Sequence, residues 1–174
     1  MSGLIHFYYG DGKGKTTAAI GLALRCLGHG KPVLLVQFLK DGTSGEVCYL
    51  RQLPGVQVLT APHSGKFVFQ MDEKEKEQCS RQQQELLRQV ETIWKSQSDG
   101  LLILDEAGTA CDVGMLQQCE LCRRAEQWKA LGEIVITGHA CLPQLEELAD
   151  YVTEMKAQKH PYQRGIAARA GIEH

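Results

Sequence analysis

The chain has 174 residues, the length of one ordinary domain, and its 43% hydrophobic and 23% charged residues exclude a disordered, collagenous or coiled-coil protein. With 19 Lys and Arg against 21 Asp and Glu the net charge is −2, so no basic field invites nucleic acid or an anionic membrane. No apolar run reaches the roughly 18 residues of a membrane span and no basic-then-apolar leader opens the chain, so a cytoplasmic protein with seven reduced cysteines is expected.

Apolar runs alternate with helical patterns along the chain. Leu4 to Tyr9 reads as a first strand, followed by a helix from Lys15 to Gly28 and a second strand from Val33 to Leu39. Gly42 to Gly45 reads as loop, Val56 to Thr60 as a third strand, and Ala61 to Lys66 as loop again. Asp72 and Glu75 stand at capping-box spacing before a long helix to Lys95, with Leu86, Leu87, Val90, Ile93 and Trp94 on one face. Leu101 to Leu104 and Ile134 to Thr137 are further strands, separated by a helix from Met115 to Lys129. That helix carries Cys119 and Cys122, whose lone C-x-x-C is read as packing thiols, since no second pair stands at zinc-ligand spacing. A short helix from Pro143 to Ala149 precedes a sixth strand, Tyr151 to Met155, and residues 156–174 form a tail carrying Lys156, Lys159, Arg164 and Arg169 against Glu173. Strand-helix alternation of this kind predicts a single α/β domain with a mostly parallel sheet covered on both faces.

Chemistry concentrates after the first strand. Gly10-Asp11-Gly12-Lys13-Gly14-Lys15-Thr16-Thr17 runs directly into a helix, the context of a phosphate-binding P-loop. The glycines let backbone N–H groups converge on phosphate oxygens, the helix presents its positive end, Lys15 is expected as an exposed loop cation, and Thr16 is placed to offer its hydroxyl to Mg²⁺. The strict pattern wants glycine at position 9, where Tyr9 stands, with Gly10 one place later. A second element supports the first: Leu101-Leu102-Ile103-Leu104 ends in Asp105 and Glu106, a buried strand that delivers carboxylates to the C-terminal edge of the sheet. These residues point to a nucleotide bound with Mg²⁺ and leave hydrolase, kinase, motor and transferase chemistry open.

The loop from Gly10 to Ala19 with Gly21-Leu22-Ala23-Leu24-Arg25, then Val36-Gln37-Phe38-Leu39-Lys40 and Gly45-Glu46, resembles the ATP:corrinoid adenosyltransferase family. So do Leu104-Asp105-Glu106, Ile136-Thr137-Gly138 and the closing run from Ala149 to Glu173, in order over almost the whole chain. The family's loop carries the same shifted glycine. The resemblance implies a three-layer P-loop NTPase-like (RecA-like) fold and a reaction in which Co(I) of a reduced corrinoid attacks C5′ of ATP and displaces triphosphate, in adenosylcobalamin biosynthesis or salvage. ATP is implied to lie reversed, with its γ-phosphate where other P-loop enzymes hold the β-phosphate.

The implied catalytic residues are Lys15, Glu106, Phe67 and Phe69; the implied nucleotide cradle is residues 10–17; and Mg²⁺ (or Mn²⁺) falls to Thr16, Asp105 and Glu106. Phe67 and Phe69, in the loop Ser64 to Phe69, correspond to aromatics that cover the lower face of cobalt, although relatives often have tryptophan at the second position. Relatives often have arginine where His139 stands, and longer ones carry an N-terminal extension that helps to cap the corrinoid. The implied partners are the corrinoid (cobalamin, cobinamide or a precursor), an electron donor such as a reduced flavoprotein, and a second copy in a homodimer, with no nucleic acid and no membrane. The rivals are a P-loop NTPase or kinase that cleaves the β–γ bond and a non-catalytic ATP-gated module, and the three separate by product.

Overall fold

A computed structural model describes residues 2–62, 65–97 and 99–172; Ser64 and Glu173, named above in the aromatic loop and the tail, lie outside them. Its strands are β1 (Ile5–Tyr9), β2 (Val33–Gln37), β3 (Val56–Thr60), β4 (Gly100–Asp105), β5 (Gly132–Thr137) and β6 (Tyr151–Glu154). They form one parallel sheet in the order β3-β2-β4-β5-β1-β6. β2 and β4 are buried throughout, which is why they read as unbroken apolar runs, whereas the edge strand β6 is exposed along its length.

Alternation within each strand sends side chains to two cores. Val33, Leu35, Leu101, Ile103 and Val135 meet Ala19 and Ala23 of α1 (Lys15–Gly28) and Val47 and Leu50 of α2 (Gly45–Leu50). Leu34, Val36, Leu102, Leu104, Ile134 and Ile136 face the other way, against α3 (Glu73–Trp94), α4 (Ala107–Asp112), α5 (Gln118–Trp128) and α6 (Pro143–Leu148). The result is the three-layer α/β arrangement that the alternation predicts. In α3 the capping box forms as expected: Asp72 Oδ1 accepts from the Glu75 N–H at 2.9 Å and Glu75 Oε2 from the Asp72 N–H at 3.0 Å. At its other end the Trp94 indole N–H reaches the Trp128 carbonyl at 3.0 Å and ties α3 to α5.

Several boundaries differ from the sequence reading. The loop assigned to Gly42 to Gly45 leads straight into α2, six residues being too few to show a helical period. The helix expected from Met115 begins only at Gln118, because Gly114 takes a left-handed turn (φ 77°) after the separate short helix α4. β2 stops at Gln37 rather than Leu39, whose own φ is 55°. Of the C-x-x-C pair only Cys122 packs: it lies partly buried against the core near Cys111, and burial pushes these two thiols up to about 11 and about 12, whereas Cys119 is exposed on the outer face of α5, contrary to the packing reading. Among the described residues no helix is long and apolar enough to cross a membrane.

Candidate functional site

In a parallel sheet every strand ends at the same edge, so the segments following β1, β2, β4 and β5 converge there. The loop after β1 departs from the strict P-loop pattern for a local reason. Tyr9 is still in the strand, opposite Glu154 of β6, with its ring stacked 5.2 Å from Phe7. The turn starts one residue later, at Gly10, where φ is 117° and a Cβ would lie 2.3 Å from the Met155 carbonyl oxygen. Only glycine fits both conditions. The Gly12 N–H then donates to that same carbonyl at 2.7 Å, and α1 opens with Lys15.

Lys15 is 7% exposed rather than the exposed loop cation of the sequence reading. Its ammonium folds back onto the Gly10 and Gly12 carbonyls at 2.6 and 2.9 Å and braces the loop from inside. Burial lowers its pKa, opposed by the negative charges of Glu106, Asp11 and Asp105.

Asp105 closes β4 in register with Gln37 at the end of β2, and it has no exposed surface. Four donors among the described residues saturate its carboxylate. Oδ1 accepts from Thr16 Oγ1 at 2.8 Å and Thr137 Oγ1 at 2.9 Å; Oδ2 accepts from Lys40 Nζ at 2.7 Å and Gln37 Nε2 at 3.2 Å. Glu106, next in the chain, is left-handed (φ 61°) and is held there by its N–H, which donates to Thr137 Oγ1 at 2.8 Å. Its carboxylate accepts from the Thr109 hydroxyl and lies 3.8 Å from Lys40 and 4.0 Å from His139 Nε2. For Lys40, burial works to lower the pKa, but the charges of Asp105 and Glu106 outweigh it and the ammonium ends above its ordinary value.

Lys15, Thr16, Asp105 and Glu106 are thus brought together, as their motifs imply. Phe67 and Phe69 stand on a separate loop after β3, around a 3₁₀ turn at Val68–Gln70, with rings stacked 5.5 Å apart and only 7° from parallel. From β3 to β1 is four strand spacings, or about 19 Å along the same sheet edge, with the Asp105 end of β4 midway. A cavity of about 580 Å³ beside the P-loop is lined by Lys13, Thr16, Thr17, Lys40, Glu46 and Ile172, among others. The tail borders it: Lys13 Nζ donates to the Ile172 carbonyl at 2.7 Å, while the Ala157 N–H donates to Asp11 Oδ1 at 3.1 Å. Gln37, Lys40 and Thr137 lie within the motifs of the resemblance, but nothing in the sequence alone gives any of them a role. A polar residue closing an apolar strand was the available signal for Gln37 and Thr137.

Residues 1–174 match the family model described as ATP:corrinoid adenosyltransferase BtuR/CobO/CobP. The chain belongs to this family. Members of similar sequence include the corrinoid adenosyltransferase of Pseudomonas aeruginosa, 31% identical over 98% of this chain and 83% of that protein, and that of Escherichia coli K12, 32% identical over 99% and 86%. Corrinoid adenosyltransferase CobA of Salmonella typhimurium is 31% identical over 99% and 86%. Among solved structures, ATPases 2 and 3 of EssC from Geobacillus thermodenitrificans give a TM-score of 0.48 at 15% identity, covering 99% of this chain and 36% of that one. EccC of Thermomonospora curvata gives 0.49 at 15%, over 92% and 32%. The fold assignment rests instead on the strand order, in which one strand, β5, separates the P-loop strand from the strand bearing the two acids.

Proposed function

We propose that this adenosyltransferase family member transfers the 5′-deoxyadenosyl group of ATP to the Co(I) centre of a reduced corrinoid and releases intact triphosphate. The family match along the whole chain carries the reading, and the convergence of Lys15, Thr16, Asp105 and Glu106 supports it. In the reaction the electron pair of Co(I) forms the Co–C5′ bond, the C5′–O5′ bond breaks, and its pair leaves with the triphosphate. No protein base is needed. The chain's task is to receive a polyphosphate whose charge increases as the bond breaks, through donors already in place.

Residues 10–17 supply the cradle. Lys15, already turned inward on the loop, gives that cradle its cation. The oxygen donors of Thr16 and Glu106 suit a hard divalent ion such as Mg²⁺ or Mn²⁺. Thr16 gives its hydrogen to Asp105, so its oxygen lone pairs remain available to a cation; Asp105, saturated by four donors, orients Thr16 from behind. Bound there, the ion would screen the charge on the triphosphate. Phe67 and Phe69 would cover the lower cobalt face. The proposal includes a cytoplasmic homodimer supplied with electrons by a donor such as a reduced flavoprotein.

Product analysis tests the reaction. Anaerobic incubation with ATP, Mg²⁺ and chemically reduced cobalamin, followed by phosphorus NMR, should show triphosphate in step with the visible spectrum of an alkylated corrinoid. Stoichiometric ADP and orthophosphate would move the protein to the NTPase or kinase class.

A further inference from the structure

The buried carboxylate of Asp105 raises a question of charge balance. Of its four hydrogen-bond donors three are neutral, and only Lys40 is a cation. The same ammonium lies 3.8 Å from Glu106 Oε1, so one lysine serves two acids. Lys15 is near enough to feel the charge of both acids, but it makes no ion pair with either, because its hydrogen bonds go to loop carbonyls.

The backbone places Lys40 for this role. Leu39, just before it, is left-handed, and its N–H is fixed by Gln83 Oε1 at 3.1 Å, which turns the chain leaving β2 back across the end of β4. The Lys40 side chain is about one third exposed and lines the cavity beside Thr16 and Thr17, so its ammonium has open space to move into.

We propose that Lys40 is the built-in counter-cation of the strand-end acids: it competes with a divalent ion at Glu106 for the negative charge that Asp105 and Glu106 share, and it shifts its ammonium onto the polyphosphate when metal and ATP enter together. This rests on the placement of the nucleotide at the P-loop proposed above. Two cations repel each other at the same pair of carboxylates, so the lysine disfavours the metal when it comes alone. With ATP present the phosphates give the displaced ammonium a new partner, and metal and nucleotide bind cooperatively. Lys40 is then a positioning residue for the metal and a contact for the leaving triphosphate.

Mn²⁺ binding followed by electron paramagnetic resonance, without corrinoid, tests this. Lys40→Met should bind Mn²⁺ alone at least tenfold more tightly than wild type, yet bind ATP at saturating Mg²⁺ at least tenfold more weakly; Lys40→Arg, which keeps the charge, should hold Mn²⁺ as weakly as wild type. A lysine that merely supports the fold would weaken both ligands on removal, and that result, or unchanged Mn²⁺ affinity, overturns the proposal. If Lys40→Met does not fold, wild type decides: Mn²⁺ and ATP should each raise the other's affinity at least tenfold, and independent binding overturns the idea. Neither readout involves adenosyl transfer, so ADP appearing in the product analysis would remove the proposed reaction and leave this inference standing.

Discussion

Phe67 and Phe69 are 68% and 81% exposed, among the most open large apolar side chains of the described residues, and they present nearly parallel rings. Fully burying a phenylalanine side chain is worth roughly 2 kcal/mol, so covering the exposed parts of both rings with a corrinoid would contribute about 3 kcal/mol, or on the order of 100-fold in affinity. Replacing both with alanine should therefore weaken corrinoid binding by up to about 100-fold. Because so little of either ring is buried in the protein, unfolding free energy should change by under about 1 kcal/mol. ATP affinity should move by less than about tenfold, ~1.4 kcal/mol, since the rings stand on a separate loop that follows β3, four positions in the sheet from the P-loop strand β1. The electronic consequence follows from the same burial. In the proposed arrangement, rings against the lower cobalt face would exclude water and the displaced base, cobalt would keep fewer axial donors, and the added electron of Co(I) would lie lower in energy. At saturating corrinoid the variant should lose activity strongly when supplied with Co(II) and a mild reductant, and much less with Co(I) prepared beforehand. Electron paramagnetic resonance of Co(II)cobalamin with protein and MgATP is the direct assay: wild type should give a signal without axial nitrogen coupling, the variant should not. Equal signals, or a melting temperature lowered by many degrees, would refute the reasoning and make the rings anchors of their own loop.

Two further substitutions probe the P-loop side. Lys15→Ala should lower kcat/KM at least about 100-fold, roughly 3 kcal/mol, by removing the cradle's cation; half of wild-type activity would mean that the loop does not bear the reaction's charge. Thr137→Val keeps shape but strips Asp105 of one donor and Glu106 N–H of its acceptor in a fully buried position. It should cost about 2 kcal/mol and lower the melting temperature by roughly 4–8 °C, a drop that a scanning calorimeter would either register or rule out.

What the sequence made legible was what is local. Apolar runs gave the strands, the spacing of Asp72 and Glu75 gave the start of α3, and a lysine-threonine pair after a strand gave the loop that opens α1. Elements too short for a period, α2 and α4, were not visible, and the turn at Gly114 hid inside what looked like one helix. The site's wiring was also hidden, because it depends on which strands are neighbours. Gln37 and Lys40 reach Asp105 only because β2 lies against β4, and Thr137 only because β5 lies on the other side. The exposure expected of Lys15 failed for a similar reason: a side chain long enough to reach phosphate is also long enough to turn onto its own loop's carbonyls.

Backbone strain in this chain gathers around the same carboxylate. Three described non-glycine residues have positive φ, and two of them, Leu39 and Glu106, flank Asp105 in space, one at the exit of β2 and one at the exit of β4. A left-handed residue of this kind costs on the order of 1 kcal/mol or more and persists only where its surroundings hold it. Here the surroundings are identifiable. Gln83 accepts from the Leu39 N–H, and Thr137 accepts from that of Glu106. Gly108 and Gly138 let α4 sit hard against the end of β5, where a Cβ on Gly138 would stand 3.0 Å from the Gly108 Cα. The left-handed turn at Leu39 is followed by Lys40, whose ammonium reaches Asp105 at 2.7 Å, and the one at Glu106 holds that residue's carboxylate 3.8 Å from the same ammonium. The strain therefore lies among the charged groups of the proposed site, and what holds it there is a glutamine of α3, a threonine of β5 and the close packing of α4 on the end of β5.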